Sequence, residues 1–358
     1  MKHVCMDARM ILCSGIGTYI ANLLLNLHNP PFALTLLLSK EGLSKHPSLR
    51  RFQTILCEAP IYSIKEQKDL PFLIPPCDLF FSPHYNIPLF PIRAKKRIVT
   101  IHDTAHLALG EHLTLLERMY ARLVMKEAAR RSEKILTVSA FSKGEISRRL
   151  DVPLEKIAVI YPSFDPQRFS SSLTYRIPTN PFFLFVGNLK PHKNLTGLLR
   201  SYLTALPELS NIHLLVVGAS LGMRHIDQEA HVLALHPKLK NRVHFLGSVE
   251  NGELALLYKN SLATILPSLY EGFGSVALES MHFGSPLAST NRASLPEVCE
   301  EAALYFDPLC EKSMKDTLIA LAKDSDLRNT LAKRGKERSA FFSLQTFVEA
   351  HSSWLSTL

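Results

Sequence analysis

The chain is predicted to fold as α/β, with two doubly wound domains in tandem facing a central cleft. Three observations carry this reading. Short strand-type apolar runs alternate with helix-period segments along almost the whole chain. The alternation stops once, around Tyr161–Pro181, and then restarts. Several runs, Phe182-Phe-Leu-Phe-Val186 above all, are apolar at every position, as strands of a parallel sheet covered on both faces must be.

The first domain is expected over residues 1–165. Lys2–Met6 is its opening strand, and Gly15-Ile-Gly17 leads into the apolar-periodic helix Tyr19–Leu27. Further strands are expected at Ala33–Leu38, Thr54–Cys57, Asp78–Phe81, Arg97–Ile101, Lys134–Val138 and Ile157–Ile160, with helices at Leu113–Arg131 and Phe141–Leu150. Pro162, Pro166, Pro178, Pro181 and the Ser170–Ser172 run mark residues 166–181 as the linker. The second domain, 182–340, opens on Phe182–Val186 and continues with strands at His213–Val217, Val243–Leu246, Ala263–Leu266 and Leu287–Ser289. From Ser313 the chain is helical nearly to its end. Residues 341–358 form a last helix with apolar positions at Phe341, Leu344, Phe347, Val348 and Trp354, the tryptophan being the anchor that would carry it back to the first domain.

Composition narrows the class. A chain of 358 residues with 46% hydrophobic and 20% charged residues has room for two sizeable cores. No apolar run reaches the ~18 residues that would span a membrane, and the N-terminus enters a strand without a signal-peptide pattern. Six scattered cysteines with no Cys-x-x-Cys pair point to a reduced, cytoplasmic protein without a structural metal. The net charge of +9 lies wholly in residues 1–180, with 24 Lys/Arg against 15 Asp/Glu, while the remainder carries 17 of each. Such asymmetry suggests an anionic partner for the first half, or a solvated basic face.

The densest chemistry lies in Ser268-Leu-Tyr-Glu271-Gly-Phe-Gly-Ser-Val-Ala-Leu-Glu279-Ser280, directly after a strand. Its glycines free the backbone and Ser275 opens the next helix. Glu271 and Glu279 are thereby placed at the carboxyl end of a strand and on the following helix, where open α/β sheets bind ligands. No cation is near either in sequence. A loop carboxylate plus a Glu favoured by the helix macrodipole fits the spacing equally well.

Other motifs gather at strand ends. Gly15 and Gly17 would let backbone N–H groups and a helix N-terminus approach a phosphate, or would form a flexible turn. His102 should stand at a strand's carboxyl end, able to bond a sugar hydroxyl or polarise a reacting centre, with Asp103 orienting it or beginning a turn. In Gly187-Asn-Leu-Lys190-Pro-His192-Lys193-Asn194, Asn194 is read as the cap of the next helix. Lys190 and Lys193 flank that positive helix end, a placement unfavourable unless an anion such as a diphosphate sits there. Ser294-Leu-Pro-Glu297 reads as a capping box and Ser139 as a helix cap, with acceptor contact the minor alternative for Ser139–Lys143. Asp324-Ser-Asp326 has the spacing of a metal-holding carboxylate pair but reads as a helix-end turn, and no metal constellation is expected.

Gly187–Leu195, the segment Pro267–Glu279 and Asn291–Pro308, with Leu-Pro-Glu-Val and Tyr-Phe-Asp-Pro, together resemble the retaining glycosyltransferases of family four. Gly15–Gly17, Ile101–Asp103 and Thr137–Lys143 match in order, so the likeness covers nearly the whole chain. It implies a GT-B fold of two Rossmann-like domains and a nucleotide-sugar donor with no further cofactor and no metal. By this resemblance Glu271 contacts the donor sugar, Glu279 the ribose, Lys193 the leaving diphosphate, and His102 lies against the sugar. Gly15, Gly17, Gly187, Lys190, Phe273, Gly274 and Ser275 complete the donor site. One departure stands out: many members carry Arg where this chain has His192.

The resemblance implies transfer of a hexose, with mannose from GDP-mannose favoured over a UDP-hexose, to a glycan or lipid-linked acceptor in surface polysaccharide or lipopolysaccharide synthesis. The segment Leu113–Arg131, basic and partly amphipathic, suggests peripheral contact with the acidic inner face of a membrane. Two other readings compete: a GT-B sugar phosphorylase or nucleotide-sugar epimerase, and a non-catalytic basic module. The first lacks a pyridoxal-lysine motif. The basic half also lacks the aromatic interleaving of a single-strand platform, so no nucleic-acid partner is expected.

Overall fold

The computed structural model describes residues 1–109, 114–170, 177–218 and 227–358. The chain divides into two compact units, the first comprising Met1–Ser163 with Phe342–Leu358, the second Phe164–Phe341. Among the described residues, the first unit holds a parallel sheet of β1 (His3–Asp7), β2 (Ala33–Leu38), β3 (Gln53–Leu56), β4 (Cys77–Ser82), β5 (Ala94–Thr100), β6 (Lys134–Thr137) and β7 (Ile157–Val159). The second holds β8 (Phe182–Val186), β9 (His213–Val217), β10 (Val243–Gly247), β11 (Ala263–Leu266), β12 (Leu287–Thr290) and β13 (Ala303–Phe306), again parallel throughout.

The strand orders, β3-β2-β1-β4-β5-β6-β7 and β10-β9-β8-β11-β12-β13, locate the functional positions. In each sheet the chain runs outward to one edge and then returns to build the other side. The reversal falls between β1 and β4 in the first unit and between β8 and β11 in the second. Loops leaving neighbouring strands diverge there, and the carboxyl ends of the strands form a crevice.

Burial explains the all-apolar strands. Phe183 and Phe185 face a core with Leu198, Leu199 and Tyr202 of the helix Leu195–Ala205. Phe182, Leu184 and Val186 face the other way, onto Leu257 and Tyr258. Each such side chain removed from water contributes about 1.5–3 kcal/mol, and no polar position is left to create an alternating pattern.

Three expectations about the connections are revised. Of the segment read as a linker, residues 171–176 lie outside the described residues, and the part before them is packed into the second unit. Phe164 and Phe169 are buried there against Phe283, and Asn251 donates to the Arg168 carbonyl. Prolines and serines carried the linker signal, but two phenylalanines decide the packing. The helix expected from Leu113 begins, as far as it is described, at Leu115 and ends at Arg131; Leu113 itself lies outside the described residues. The final helix is Leu344–Thr357 and belongs to the first unit. Its buried anchors are Phe347, His351 and Leu355, while Trp354 is only half-buried and Phe341 is exposed.

Candidate active site

In the second unit, β8 ends at Val186, and from Gly187 the chain passes through a short 3-10 turn, Pro191–Lys193, before the helix Leu195–Ala205. Sequence reasoning passed over Gly218, which makes this passage possible. It follows β9 with φ +152°, and a Cβ there would lie 1.8 Å from the Gly187 carbonyl oxygen. Only a glycine lets the two strand ends approach so closely; its place directly after an apolar strand was the available signal.

Asn194 does not cap the following helix with its side chain. It adopts a left-handed conformation (φ 56°) and sends its amide to the Pro308 carbonyl at 2.9 Å. The helix end is served by Asp227, which accepts from the Thr196 hydroxyl at 2.7 Å and the Thr196 N–H at 3.3 Å. An anion from a distant segment thus answers the helix dipole.

Lys193 and Glu271 form an ion pair, Nζ to Oε1 2.6 Å, with side chains only 14% and 13% exposed. No cation is near Glu271 in sequence, but the fold brings Lys193 from the loop after β8 to the loop after β11, across the switch point. Main-chain contact fixes the approach, as the Leu269 N–H donates to the His192 carbonyl at 2.7 Å. Burial by itself would raise the Glu271 carboxyl. The Lys193 charge and hydrogen bond, with Ser268 and His192 close by, bring it below its ordinary value.

Ser294 is corrected as well. It forms no capping box; its hydroxyl donates to the Glu271 carbonyl at 2.9 Å and braces the loop. Gly274 opens the helix Ser275–Phe283 in a left-handed conformation, φ 101°, and a Cβ there would meet Leu295 at 2.5 Å. Phe273 is buried, Ser275 is exposed on the first helical position, and Glu279 lies one turn on, on the same face. The Tyr258 hydroxyl donates to Glu279 Oε2 at 2.9 Å. Desolvation dominates at Glu279 and lifts its carboxyl to about 7, against smaller lowering effects of Tyr258 and Arg168. Lys190 precedes the 3-10 turn and is half-buried.

In the first unit the two glycines separate in role. Both lie inside the first turn of the helix Ser14–Asn26, beyond the short 3-10 helix Arg9–Leu12. Gly17 is buried, its N–H donates to the Cys13 carbonyl, and a Cβ would meet the Ile11 carbonyl oxygen at 2.5 Å. Its amide is used by the helix, so it is a packing glycine. Gly15 is exposed with no atom within 4 Å of a Cβ position. His102 stands at the end of β5, its Nε2 donating to the Pro83 carbonyl at 2.9 Å and its ring edge-on to Tyr19 at 4.9 Å. Burial pushes the imidazole below its ordinary value, leaving a neutral ring with Nδ1 as acceptor. Asp103 accepts from the Ala105 N–H at 2.9 Å and begins a turn.

A buried polar network at the β1/β4 switch point was not legible in sequence. Arg9 bonds Asp7 in a fork, Nη2 to Oδ2 2.7 Å and Nε to Oδ1 2.8 Å, and reaches Glu66 at 2.5 Å. His84 Nε2 lies 3.5 Å from Asp7. Burial opposes ionisation of Asp7, but Arg9 overrides it and holds the carboxyl well below the usual range. Of the other motifs, Ser139 caps its helix by accepting from the Ser142 N–H, and Asp324 caps Ser325–Ser339 by accepting from Leu327 N–H.

Comparison with known proteins agrees over nearly the whole chain. Residues 13–168 match the family model described as Glycosyltransferase Family 4, and residues 174–338 match that of Glycosyl transferases group 1. The chain is 26% identical over 273 residues to the O-antigen chain mannosyltransferase B of Escherichia coli, covering 74% of this chain and 70% of that one. It is 28% identical over 240 residues to the O-antigen chain mannosyltransferase RfbU of Salmonella typhimurium, covering 67% of this chain and 64% of RfbU, just under two thirds. Its fold superposes on Anabaena HepE, solved in complex with UDP-glucose, with a TM-score of 0.78 at 17% identity over 100% of both chains.

Proposed function

The chain belongs to the group 1 glycosyltransferases of family four and has their GT-B fold, and from that premise we propose that it transfers mannose from GDP-mannose to a glycan or lipid-linked acceptor in surface polysaccharide or lipopolysaccharide synthesis. The observation that carries the donor half is the Lys193–Glu271 pair at the β8/β11 switch point. A departing nucleoside diphosphate gains negative charge, and a preplaced ammonium beside it stabilises that charge without reorganising. Glu271, held ionised, accepts hydrogen bonds from sugar hydroxyls. Glu279 receives the ribose hydroxyls one helical turn beyond Ser275. In the first unit, Gly15 offers an uncovered helix start to the diphosphate, and neutral His102 offers Nδ1 as an acceptor for a sugar hydroxyl.

The mannose assignment is supported by the names of the two O-antigen relatives. Retention of anomeric configuration is proposed from the family resemblance, and metal independence from the charge role assigned to Lys193. Peripheral membrane contact is proposed through the helix Leu115–Arg131, whose exposed positions mix Arg118, Arg122 and Lys126 with Met119 and Leu123. Among the described residues no helix is long and apolar enough to cross a membrane. Salt-insensitive failure to bind vesicles with anionic lipid would remove the membrane contact.

The deciding experiment is a thermal-shift panel of GDP-, UDP-, ADP- and dTDP-sugars with and without EDTA. Occupancy at ~100 times the dissociation constant should stabilise the fold by about 2.7 kcal/mol. GDP-mannose is expected to shift the melt equally with and without EDTA. A panel in which no nucleotide-sugar acts would overturn the donor assignment, and a shift that requires metal would overturn metal independence.

A further inference from the structure

A second set of side chains stands at the carboxyl edge of the first unit's sheet, and the donor chemistry makes no use of it. Tyr62 follows β3, Tyr85 follows β4, and Tyr120 projects from the helix Leu115–Arg131. Tyr62 and Tyr120 are 45% and 43% exposed, and Tyr85 is half-buried between Tyr62 and His106, each ring centroid 6.1 Å from its own.

One buried carboxylate organises these rings. Glu66, with 0% exposure, accepts the Tyr62 N–H at 2.8 Å and the Asn86 side-chain amide at 2.6 Å on Oε2, while its Oε1 is held by Arg9. Asn86, equally buried, turns its Oδ1 toward the Tyr120 hydroxyl at 3.5 Å. A buried ionic network is weak support for stability, because desolvation offsets most of the attraction. Here its outward effect is to hold the Tyr62 main chain and to set a buried acceptor beneath the Tyr120 hydroxyl. Tyr62 is also held at φ 63°, a left-handed conformation that a bulky residue adopts only under constraint. Strain of this kind concentrates at ligand clamps.

We propose that Tyr62, Tyr85 and Tyr120, set above the Glu66–Asn86 network, form a stacking subsite for a pyranose ring of the acceptor glycan. A pyranose presents an apolar C–H face and a rim of hydroxyls; tyrosines offer a flat apolar face with a polar tip. Three hydroxyl-tipped rings suit a pyranose better than an acyl chain, which is best buried in an all-hydrocarbon groove. Its assignment to the acceptor rests on the glycosyl-transfer reading above. Tyr85 lies two residues beyond Pro83, whose carbonyl accepts from His102, so the platform lies beside the residue proposed to meet the transferred sugar.

Saturation-transfer NMR on the full chain tests the subsite, using methyl α-glycopyranosides of mannose, glucose, galactose and N-acetylglucosamine, with octanol as an alkyl control. At least one pyranoside should receive saturation on its C–H face. Tyr62→Gly and Tyr120→Ala should weaken it by about tenfold or more, equivalent to ~1.4 kcal/mol, whereas Tyr62→Phe and Tyr120→Phe keep most of the affinity. Tyr62→Gly relieves the left-handed strain but removes a half-buried ring, so melting curves are taken on every variant, and loss of binding in a Tyr62→Gly or Tyr120→Ala sample that still melts cooperatively is loss of the subsite. Binding of none of the pyranosides, undiminished binding by the Gly and Ala variants, or transfer to octanol alone would each overturn the proposal. Nucleotide-sugar melts on the same samples separate the two readings. Nucleotide shifts without pyranoside binding remove the subsite alone, and the converse removes the donor assignment alone.

Discussion

Lys193 and Glu271, 78 residues apart in sequence, meet at 2.6 Å across the switch point of the second sheet. Each is neutralised by the other before any donor arrives. An incoming diphosphate competes with Glu271 for the lysine, and the sugar hydroxyls compete with the lysine for Glu271. Glu271→Gln should therefore separate the two ends of the donor. It frees Lys193, so GDP binds about tenfold more tightly, while transfer falls by on the order of 10²–10³, the range for losing one preorganised polar partner. Calorimetric GDP binding beside steady-state transfer checks this; parallel loss of both would show that the pair acts as one structural unit.

Glu279 titrates near 7 instead of its ordinary 4.5 because it is desolvated. A carboxyl raised in the folded state favours the protonated form, so its contribution to stability is complete below 4.5 and is lost as pH rises through 7. Ribose hydroxyls donate to the carboxylate and reverse this preference. Donor binding near pH 6 should release a proton, and affinity should rise toward pH 8. Calorimetry in buffers of different ionisation enthalpy measures the release. Glu279→Gln should abolish it; release persisting in that variant would assign the proton to another group.

His351 is fully buried in the final helix, its Nδ1 donating to the Phe347 carbonyl at 2.8 Å and its Nε2 accepting from the Tyr19 hydroxyl at 2.5 Å. Burial lowers it from 6.5 to about 4, so the unfolded chain binds more protons between those values. Stability present above pH 6.5 is lost as pH falls to 4, by about 3 kcal/mol. His351→Gln, which can keep both hydrogen bonds, should flatten that slope in thermal melts. An unchanged slope would place the acid sensitivity elsewhere.

Glycine substitutions distinguish packing from binding. Gly17→Ala pushes a methyl into the Ile11 carbonyl and should destabilise the first unit by about 1–3 kcal/mol. Gly15→Ala meets nothing and gains helix propensity, for a rise of up to about 1 kcal/mol, but should raise the donor KM if Gly15 faces the diphosphate. Equal melting temperatures for the two variants would contradict the packing role of Gly17.

Much of the fold was legible because strand and helix signals are local. Phe182–Val186 reads as a doubly covered strand from its own residues, and the observed strand has the same bounds. The phosphate-type loop after it and the Glu271–Glu279 segment were visible for the same reason. Ser294 and Asn194 misled because their types fit a cap in sequence, whereas in space Ser294 has the Glu271 carbonyl and Asn194 the Pro308 carbonyl as partner. Gly15 and Gly17 looked equivalent until the Ile11 carbonyl was placed beside one of them.

By itself, the sequence determined the parallel α/β class, the strand positions apart from β13, and the residue types at the strand ends. Those depend on periodicity and backbone chemistry within a few residues. Only the tertiary structure decided that Lys193 neutralises Glu271, that Glu66 is shared between Arg9 and the Tyr62 N–H, and that Tyr19 meets His351, 332 residues away. Charge and hydrogen-bond energies fall off over a few ångströms, and separation along the chain says nothing about which distant groups the sheet order will bring within that range.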